Sequence, residues 1–181
     1  LVRVLHFPYA KLPSSWPSAV QSLTHLRYLS ISVQEFDFKW ISHLLDLQTL
    51  VVHSSNSLRT SLAAILKMRK LRQVDIYNLS LVWEENDRAI FDESPTTMLV
   101  NLKTFRTYVI HVDNSTPRFW WRFPNIEELS CLRIEALPSC PLFPSVEVHI
   151  RLQSLNLVIS PRGLLDSVGW ESYFVFPSNL R

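Results

Sequence analysis

The chain of 181 residues is 47% hydrophobic and 19% charged, enough to build one domain with a real core and too apolar for a disordered tail. Eighteen Lys and Arg against sixteen Asp and Glu leave a net charge of +2, too near balance to mark a nucleic-acid or membrane-surface protein. Two glycines, Gly163 and Gly169, beside eleven prolines exclude phosphate loops and dinucleotide fingerprints, which need glycine where backbone approaches phosphate.

An apolar triplet at relative positions zero, three and five recurs along the chain. It reads Val2–Leu5–Phe7, Leu26–Leu29–Ile31, Leu47–Leu50–Val52 and Leu71–Val74–Ile76, then Leu102–Phe105–Thr107, Ile126–Leu129–Cys131 and Leu152–Leu155–Leu157. The first members lie 24, 21, 24, 31, 24 and 26 residues apart, averaging 25, within the leucine-rich-repeat range. Most triplets carry a further apolar residue three positions upstream: Leu23, Leu44, Met68, Leu99 and Phe123. Alternation at the end of each phrase turns two side chains inward and their neighbours outward, which predicts a short strand. One such strand cannot bury its apolar face alone, whereas stacking seven in parallel makes a continuous sheet and core. The predicted fold is an α/β leucine-rich-repeat solenoid spanning 1–181, with about seven parallel strands on a concave face and irregular, 3₁₀ or occasionally helical returns on the convex face.

Among the returns, Leu12–Pro17 and Leu137–Leu142 are proline-rich and predict irregular or 3₁₀ backbone. Thr60–Arg69, with good helix formers at apolar spacing, predicts a helical return. The 31-residue repeat holds Trp83-Glu-Glu-Asn-Asp-Arg88 and Asp92-Glu93, either a solvated loop or a partner-contacting one. Cys131 and Thr107 fall on inward positions and read as core fillers. Val146, Val148 and Ile150 offer an alternation that competes with the Leu152 register. Neither end carries the polar cap that closes natural solenoids, so the chain reads as a segment of a longer array. No apolar run approaches the ~18 residues of a membrane span.

Chemistry-bearing motifs are missing. Cys131 and Cys140 are too few for a disulfide framework. The six histidines, His6, His25, His43, His53, His111 and His149, form no metal-binding spacing. No nucleophile elbow or paired-carboxylate motif stands out. The reading is a non-enzymatic domain with no catalytic residue, no cofactor and no metal. Position eight of the repeats holds Ala10, Gln34, Ser55, Leu79, Ile110, Ile134 and Ser160. The asparagine ladder and glycine of secreted receptor repeats are therefore lacking, and a cytoplasmic location is expected.

Several phrases are more specific. Leu12-Pro-Ser-Ser-Trp16 leads into Leu23-Thr-His-Leu26-Arg-Tyr-Leu29-Ser-Ile31; Trp40-Ile-Ser-His-Leu-Leu-Asp-Leu-Gln-Thr-Leu50 and Met68-Arg-Lys-Leu-Arg-Gln-Val74 follow, then Leu99-Val-Asn-Leu-Lys-Thr-Phe105 and Phe123-Pro-Asn-Ile-Glu-Glu-Leu129. Over nearly its whole length the chain resembles plant intracellular disease-resistance receptors of the coiled-coil, nucleotide-binding, leucine-rich-repeat class, nightshade late-blight-resistance type. The resemblance implies a repeat region that senses a pathogen effector or an altered host protein. It also implies a role in holding the nucleotide-binding module inactive. That module carries the ATP site, consistent with the missing glycines here. The alternative is the substrate-recognition solenoid of an F-box ubiquitin-ligase subunit, whose plant repeats also lack glycine and the asparagine ladder.

In either case function belongs on the outward face of the strands. Alternation places Val4 and His6, Tyr28 and Ser30, Thr49 and Val51, Gln73 and Asp75, Thr104 and Arg106, Glu128 and Ser130, and Ser154 and Asn156 there. The residues after each first apolar position, Arg3, Arg27, Gln48, Arg72, Lys103, Glu127 and Gln153, form its edge. Four of these seven are basic, predicting a positive ridge from the first repeat to the fifth that Glu127–Glu128 reverses. The predicted partner-binding set is Arg27, Tyr28, Arg72, Gln73, Asp75, Tyr77, Lys103, Arg106, Tyr108, Glu127, Glu128 and Trp121, since tyrosine, tryptophan and arginine dominate protein contacts. The plain alternative is a solvated polar face. Trp16 and Trp40 read as core; Trp120 and Trp121, being adjacent, cannot both point inward, so one is exposed or stacks on Arg118 or Arg122. The ridge lacks the dense basic cluster of a nucleic-acid surface, so protein partners are expected.

Overall fold

The computed structural model describes residues 1–12, 15–54, 58–60, 63–81, 98–112, 122–136 and 151–157. Within them lie eight strands: β1 (Val4–Lys11), β2 (Tyr28–Val33), β3 (Thr49–Ser54), β4 (Leu58–Thr60), β5 (Gln73–Leu81), β6 (Thr104–Val112), β7 (Glu128–Ala136) and β8 (Ser154–Leu157). They form one sheet in the order β1-β2-β3-β5-β6-β7-β8, all neighbours parallel, with β4 joining the far half of β5. Successive repeats stack side by side in a solenoid-like array.

Register follows the apolar triplet. Leu5, Leu29, Leu50, Val74, Phe105, Leu129 and Leu155 are paired in a single row across the sheet. Phe7, Ile31, Val52, Ile76, Thr107, Cys131 and Leu157 are paired in the next row, whose members from Ile31 to Cys131 are buried. From Leu29 to Leu129 the first row is wholly buried, and Leu155 packs against the core from a half-buried position. Thr107 and Cys131 are buried fillers, as their positions predict. Val2 and Phe7 depart from expectation: they are 46% and 44% exposed although the pattern turns them inward. Among the described residues β1 is hydrogen-bonded to β2 alone, and no described strand pairs with its other side.

The upstream apolar residue of each phrase has its own structural role. The N–H of Leu26 donates to the carbonyl of Leu23, Leu47 to Leu44, Leu71 to Met68, Leu102 to Leu99 and Ile126 to Phe123, at 2.9–3.3 Å. Each pair closes a tight turn that delivers the chain into the next strand. Leu44, Met68, Leu99 and Phe123 are fully buried beneath it. The recurring spacing of three is thus a turn with two apolar anchors.

Two returns differ from the sequence reading. Trp16–Gln21 is a short helix, α1, where the prolines predicted irregular or 3₁₀ backbone. Pro17 lies in its first turn, where a missing N–H costs no intrahelical bond. The helix expected over Thr60–Arg69 is only Ala63–Leu66, α2, and Thr60 belongs to β4. The N–H of Met68 donates to the carbonyl of Ile65, an i to i−3 closure that leads straight into the next repeat's turn and leaves no room for another helical turn. A 3₁₀ turn at Phe38–Trp40 is capped by Asp37, whose carboxylate accepts from the Lys39 N–H at 2.8 Å. Trp16, Phe36, Phe38 and Trp40 pack there as one aromatic cluster, Trp16 lying parallel to Phe36 at 6.1 Å and edge-on to Trp40 at 5.6 Å. Both tryptophans belong to the core, as expected.

The charged stretch Trp83–Glu93, Trp120, Trp121, Leu137–Leu142, the alternation at Val146–Ile150 and the C-terminal phrase lie outside the described residues. Among the described residues no helix is long and apolar enough to cross a membrane.

Leu50 is fully buried between two paired strands, so Leu50→Asp places an unpaired carboxylate in the core at a cost of several kcal/mol. Loss of cooperative unfolding in urea, or aggregation, is expected. Val4→Asp, at a position 63% exposed, leaves the unfolding midpoint nearly unchanged. A soluble Leu50→Asp protein with the wild-type midpoint contradicts the register.

Candidate functional site

One backbone contact repeats across the sheet and sets the geometry of its open face. The carbonyl of Arg3 accepts from the N–H groups of both Arg27 and Tyr28, at 2.8 and 3.1 Å. The Arg27 carbonyl does the same for Gln48 and Thr49, Gln48 for Arg72 and Gln73, Arg72 for Lys103 and Thr104, Lys103 for Glu127 and Glu128, and Glu127 for Gln153 and Ser154. The row Arg3, Arg27, Gln48, Arg72, Lys103, Glu127, Gln153 is therefore a structural row, one residue per strand, as alternation predicts.

Beside it lie two rows of the open face. The first holds Val4, Tyr28, Thr49, Gln73, Thr104, Glu128 and Ser154; the second holds His6, Ser30, Val51, Asp75, Arg106, Ser130 and Asn156. The His6 and Tyr28 rings lie 6.1 Å apart on adjacent strands. Ser30 is only 1% exposed in spite of its outward register. It is a short side chain beside larger neighbours, and it is lost as a contact residue.

Charge is distributed unevenly over these rows. Lys103 Nζ is ion-paired with Glu127. Arg106 donates from Nε and Nη2 to Glu128 Oε1 at 2.9 and 2.8 Å, while its Nη1 lies 3.6 Å from Asp75. The hydrogen bond to Glu128, with both carboxylates adding their attraction, raises the Arg106 pKa above its ordinary value. Five of the predicted partner-binding residues thus meet on β5–β7 and its edge, Asp75, Lys103, Arg106, Glu127 and Glu128 in direct contacts, while Gln73 lies opposite Thr104. The predicted ridge is correspondingly shorter, because Lys103 is neutralised by its neighbour. Arg3, Arg27 and Arg72 are exposed and make no ion pair among the described residues. Tyr28 is half-buried beside Arg27. Tyr77 is 49% exposed where β5 makes a register shift against β6. Tyr108 lies in β6 opposite that shift, and Trp121 falls outside the described residues. Arg122 is buried, and that burial lowers its pKa.

Sequence reasoning missed a further column, one residue before the second to sixth triplets: His25, Asp46, Lys70, Asn101 and Asn125. Asp46 lies 2.5 Å from Lys70 Nζ and 3.5 Å from His25 Nδ1, joining three consecutive repeats. The Asn101 and Asn125 amides donate to the carbonyls of Arg69 and Val100 in the preceding repeats, at 2.9 and 2.8 Å. The signal was present in the sequence as polar residues at repeat spacing, hidden because the amino acid changes from repeat to repeat.

Among the described residues no group of three or more His, Cys, Asp or Glu side chains could hold a metal ion, and Cys131 is buried. The arrangement offers a broad polar surface with charge, ring and amide contacts. Comparison of the chain with protein-family models and with curated proteins gives no match.

Two solution measurements test this electrostatic arrangement. A double-mutant cycle on Arg106 and Glu128, through Arg106→Gln and Glu128→Gln, is expected to give a coupling of about 0.2–1 kcal/mol that shrinks with added salt, the range for partly exposed pairs. A zero coupling at low salt removes the pair. Lys70, chiefly through its hydrogen bond, holds the Asp46 carboxyl below its ordinary 3.8. A carboxylate with a lowered folded pKa contributes stability above its unfolded value and loses it as pH falls through the lowered one. Asp46→Asn should therefore flatten the fall in melting temperature on acidification through that range. An acid limb identical to wild type contradicts the contact.

Proposed function

We propose that this chain is a leucine-rich-repeat domain of a plant intracellular immune receptor of the coiled-coil, nucleotide-binding class. On this reading it is a non-enzymatic, cofactor-free module whose partners are a pathogen effector or altered host protein and the receptor's own nucleotide-binding module, in the cytoplasm. The observation that carries the reading is the open face itself. Seven parallel strands bury one side of the repeats from β2 to β7 and leave a mainly polar set of side chains, acidic, basic, amide, hydroxyl and aromatic, on the other. A binding face of this kind changes its specificity by substitution at Tyr28, Gln73, Asp75, Arg106 or Glu128 without touching the buried rows. The immune-receptor assignment is supported by the phrases around Leu23–Ile31, Trp40–Leu50 and Phe123–Leu129, which resemble that family.

The site follows from the same face. Tyr28 and Tyr77 are its aromatic contacts, and Glu127 and Glu128 its acidic ones, already balanced by Lys103 and Arg106. Reversal of the two glutamates turns a neutral patch into a cationic one and leaves the core rows intact.

In the full-length receptor at equal protein abundance, the Tyr28→Ala/Tyr77→Ala and Glu127→Lys/Glu128→Lys double variants are expected to change effector-triggered cell death or to raise death in the absence of effector. Two variants indistinguishable from wild type in both measurements overturn the assignment of this face. The domain context is tested by the coding sequence upstream of Leu1. A nucleotide-binding module with a phosphate loop is expected there, and a short F-box segment in its place transfers the domain to the ubiquitin-ligase reading.

A further inference from the structure

The open face is electrostatically divided, and the division identifies the chemistry of what it binds. On β5, β6 and β7 the carboxylates of Asp75, Glu127 and Glu128 each have a cation, Asp75 and Glu128 sharing Arg106 and Glu127 holding Lys103. On β1, β2 and β3 the open rows hold Val4 and His6, Tyr28 and Ser30, and Thr49 and Val51, with no carboxylate. Their edge row supplies Arg3 and Arg27, and Arg72 continues it on the strand next to β3. These three guanidinium groups are exposed and make no ion pair among the described residues. Asp46, two residues before Gln48, is already held by Lys70 and His25.

We infer that an extended acidic segment of a protein partner lies across β1, β2, β3 and β5, its carboxylates on Arg3, Arg27 and Arg72. The inference rests on the reading of the open face as a protein-binding surface and adds the class of segment and its position. Backbone pairing holds the three arginine Cα atoms in one row, Arg27 one strand from Arg3 and two from Arg72. At a strand spacing of about 4.8 Å the row spans roughly 14 Å, the length of four or five extended residues. Arginine presents paired donors that match a carboxylate bidentately, and these three guanidinium groups are exposed and without an ion-pair partner among the described residues. The half-buried Tyr28, in the adjoining row beside His6, gives the same segment an apolar contact between charges.

A nucleic-acid strand fits this surface less well. It carries a phosphate at every nucleotide and, continued past Arg72, meets Asp75 and then Glu127 and Glu128. The positive stretch is short and bounded, which matches a short run of carboxylates within an otherwise neutral segment.

The test is a titration of the purified 181-residue protein, with the arginine Nε–Hε signals followed by NMR. The probes are the blocked hexapeptide Glu-Glu-Tyr-Asp-Glu-Glu, its neutral analogue Gln-Gln-Tyr-Asn-Gln-Gln, and a thymidine hexanucleotide. The acidic peptide is expected to shift Arg3, Arg27 and Arg72 saturably and to leave Arg106 in place. Arg27→Gln/Arg72→Gln, with an unchanged melting temperature, should weaken it by about tenfold or more, the loss expected for two charge-assisted contacts. Equal binding of the neutral analogue overturns the acidic preference while keeping a peptide-binding face. Tighter binding of the hexanucleotide assigns the row to nucleic acid and overturns the proposal. Shifts confined to Arg106, or no shift with any probe, also overturn it; the receptor assay on Tyr28, Tyr77, Glu127 and Glu128 then judges the face independently.

Discussion

The carbonyl that accepts two N–H groups from the following repeat is the contact on which this structure depends. It occurs from Arg3 to Glu127, six times in succession, with donor–acceptor distances of 2.8–3.1 Å. Because both donors lie at the start of a strand, the contact fixes where each strand begins relative to its predecessor. A slip by one residue would turn every core-facing side chain onto the open face. The contact is made by backbone alone, so it places no demand on which side chain occupies the position. Arg, Gln, Lys and Glu all stand there. Structural constancy and chemical freedom are thereby separated in one residue.

The buried rows impose the opposite condition. Leu29, Leu50, Val74, Phe105 and Leu129 are paired across the sheet and closed to solvent, as are the turn anchors Leu44, Met68, Leu99 and Phe123. Stacking makes each repeat a wall of its neighbour's core. On β1, which among the described residues has one neighbouring strand, Val2 and Phe7 keep the same pattern and lie nearly half exposed. The pattern therefore specifies which way a side chain points, and the adjacent repeat determines whether it is buried.

That distinction explains what could be read from the sequence. Orientation is a local property of alternation, so the triplets, the parallel order and the two open rows were legible before any coordinates. Thr107 and Cys131 were legible as core for the same reason. Side-chain pairing between repeats is nonlocal and depends on rotamers, so the clamp on Arg106 and the Lys103–Glu127 pair were not. The column His25, Asp46, Lys70, Asn101, Asn125 escapes because its contacts are ion pairs in the first three members and amide bonds in the last two, with no residue type common to all. Among the returns, proline breaks a helix only in its interior, and in the first turn of a short helix Pro17 is compatible with helix. The short α2 shows the converse: good helix formers from Thr60 onward yield one turn, because the next repeat's turn claims the chain at Met68.

The ion pairs of the open face contribute little to stability, since exposed pairs are worth about 1 kcal/mol or less. Their larger consequence is for the field above the sheet. Opposite charges in contact cancel beyond a screening length of about 8 Å at physiological ionic strength. Over β6 and β7 the surface therefore presents hydrogen-bonding groups whose charge is already answered. Arg3, Arg27 and Arg72 have no such answer among the described residues, and their potentials add along the edge of the first repeats. A small net charge of +2 thus conceals a polarised face. On the proposed reading of this face as a protein-binding surface, long-range attraction would arise at one end of it, while at the ion-paired end an incoming group would have to displace an existing pair. Association and selection would then fall to different repeats of one continuous sheet.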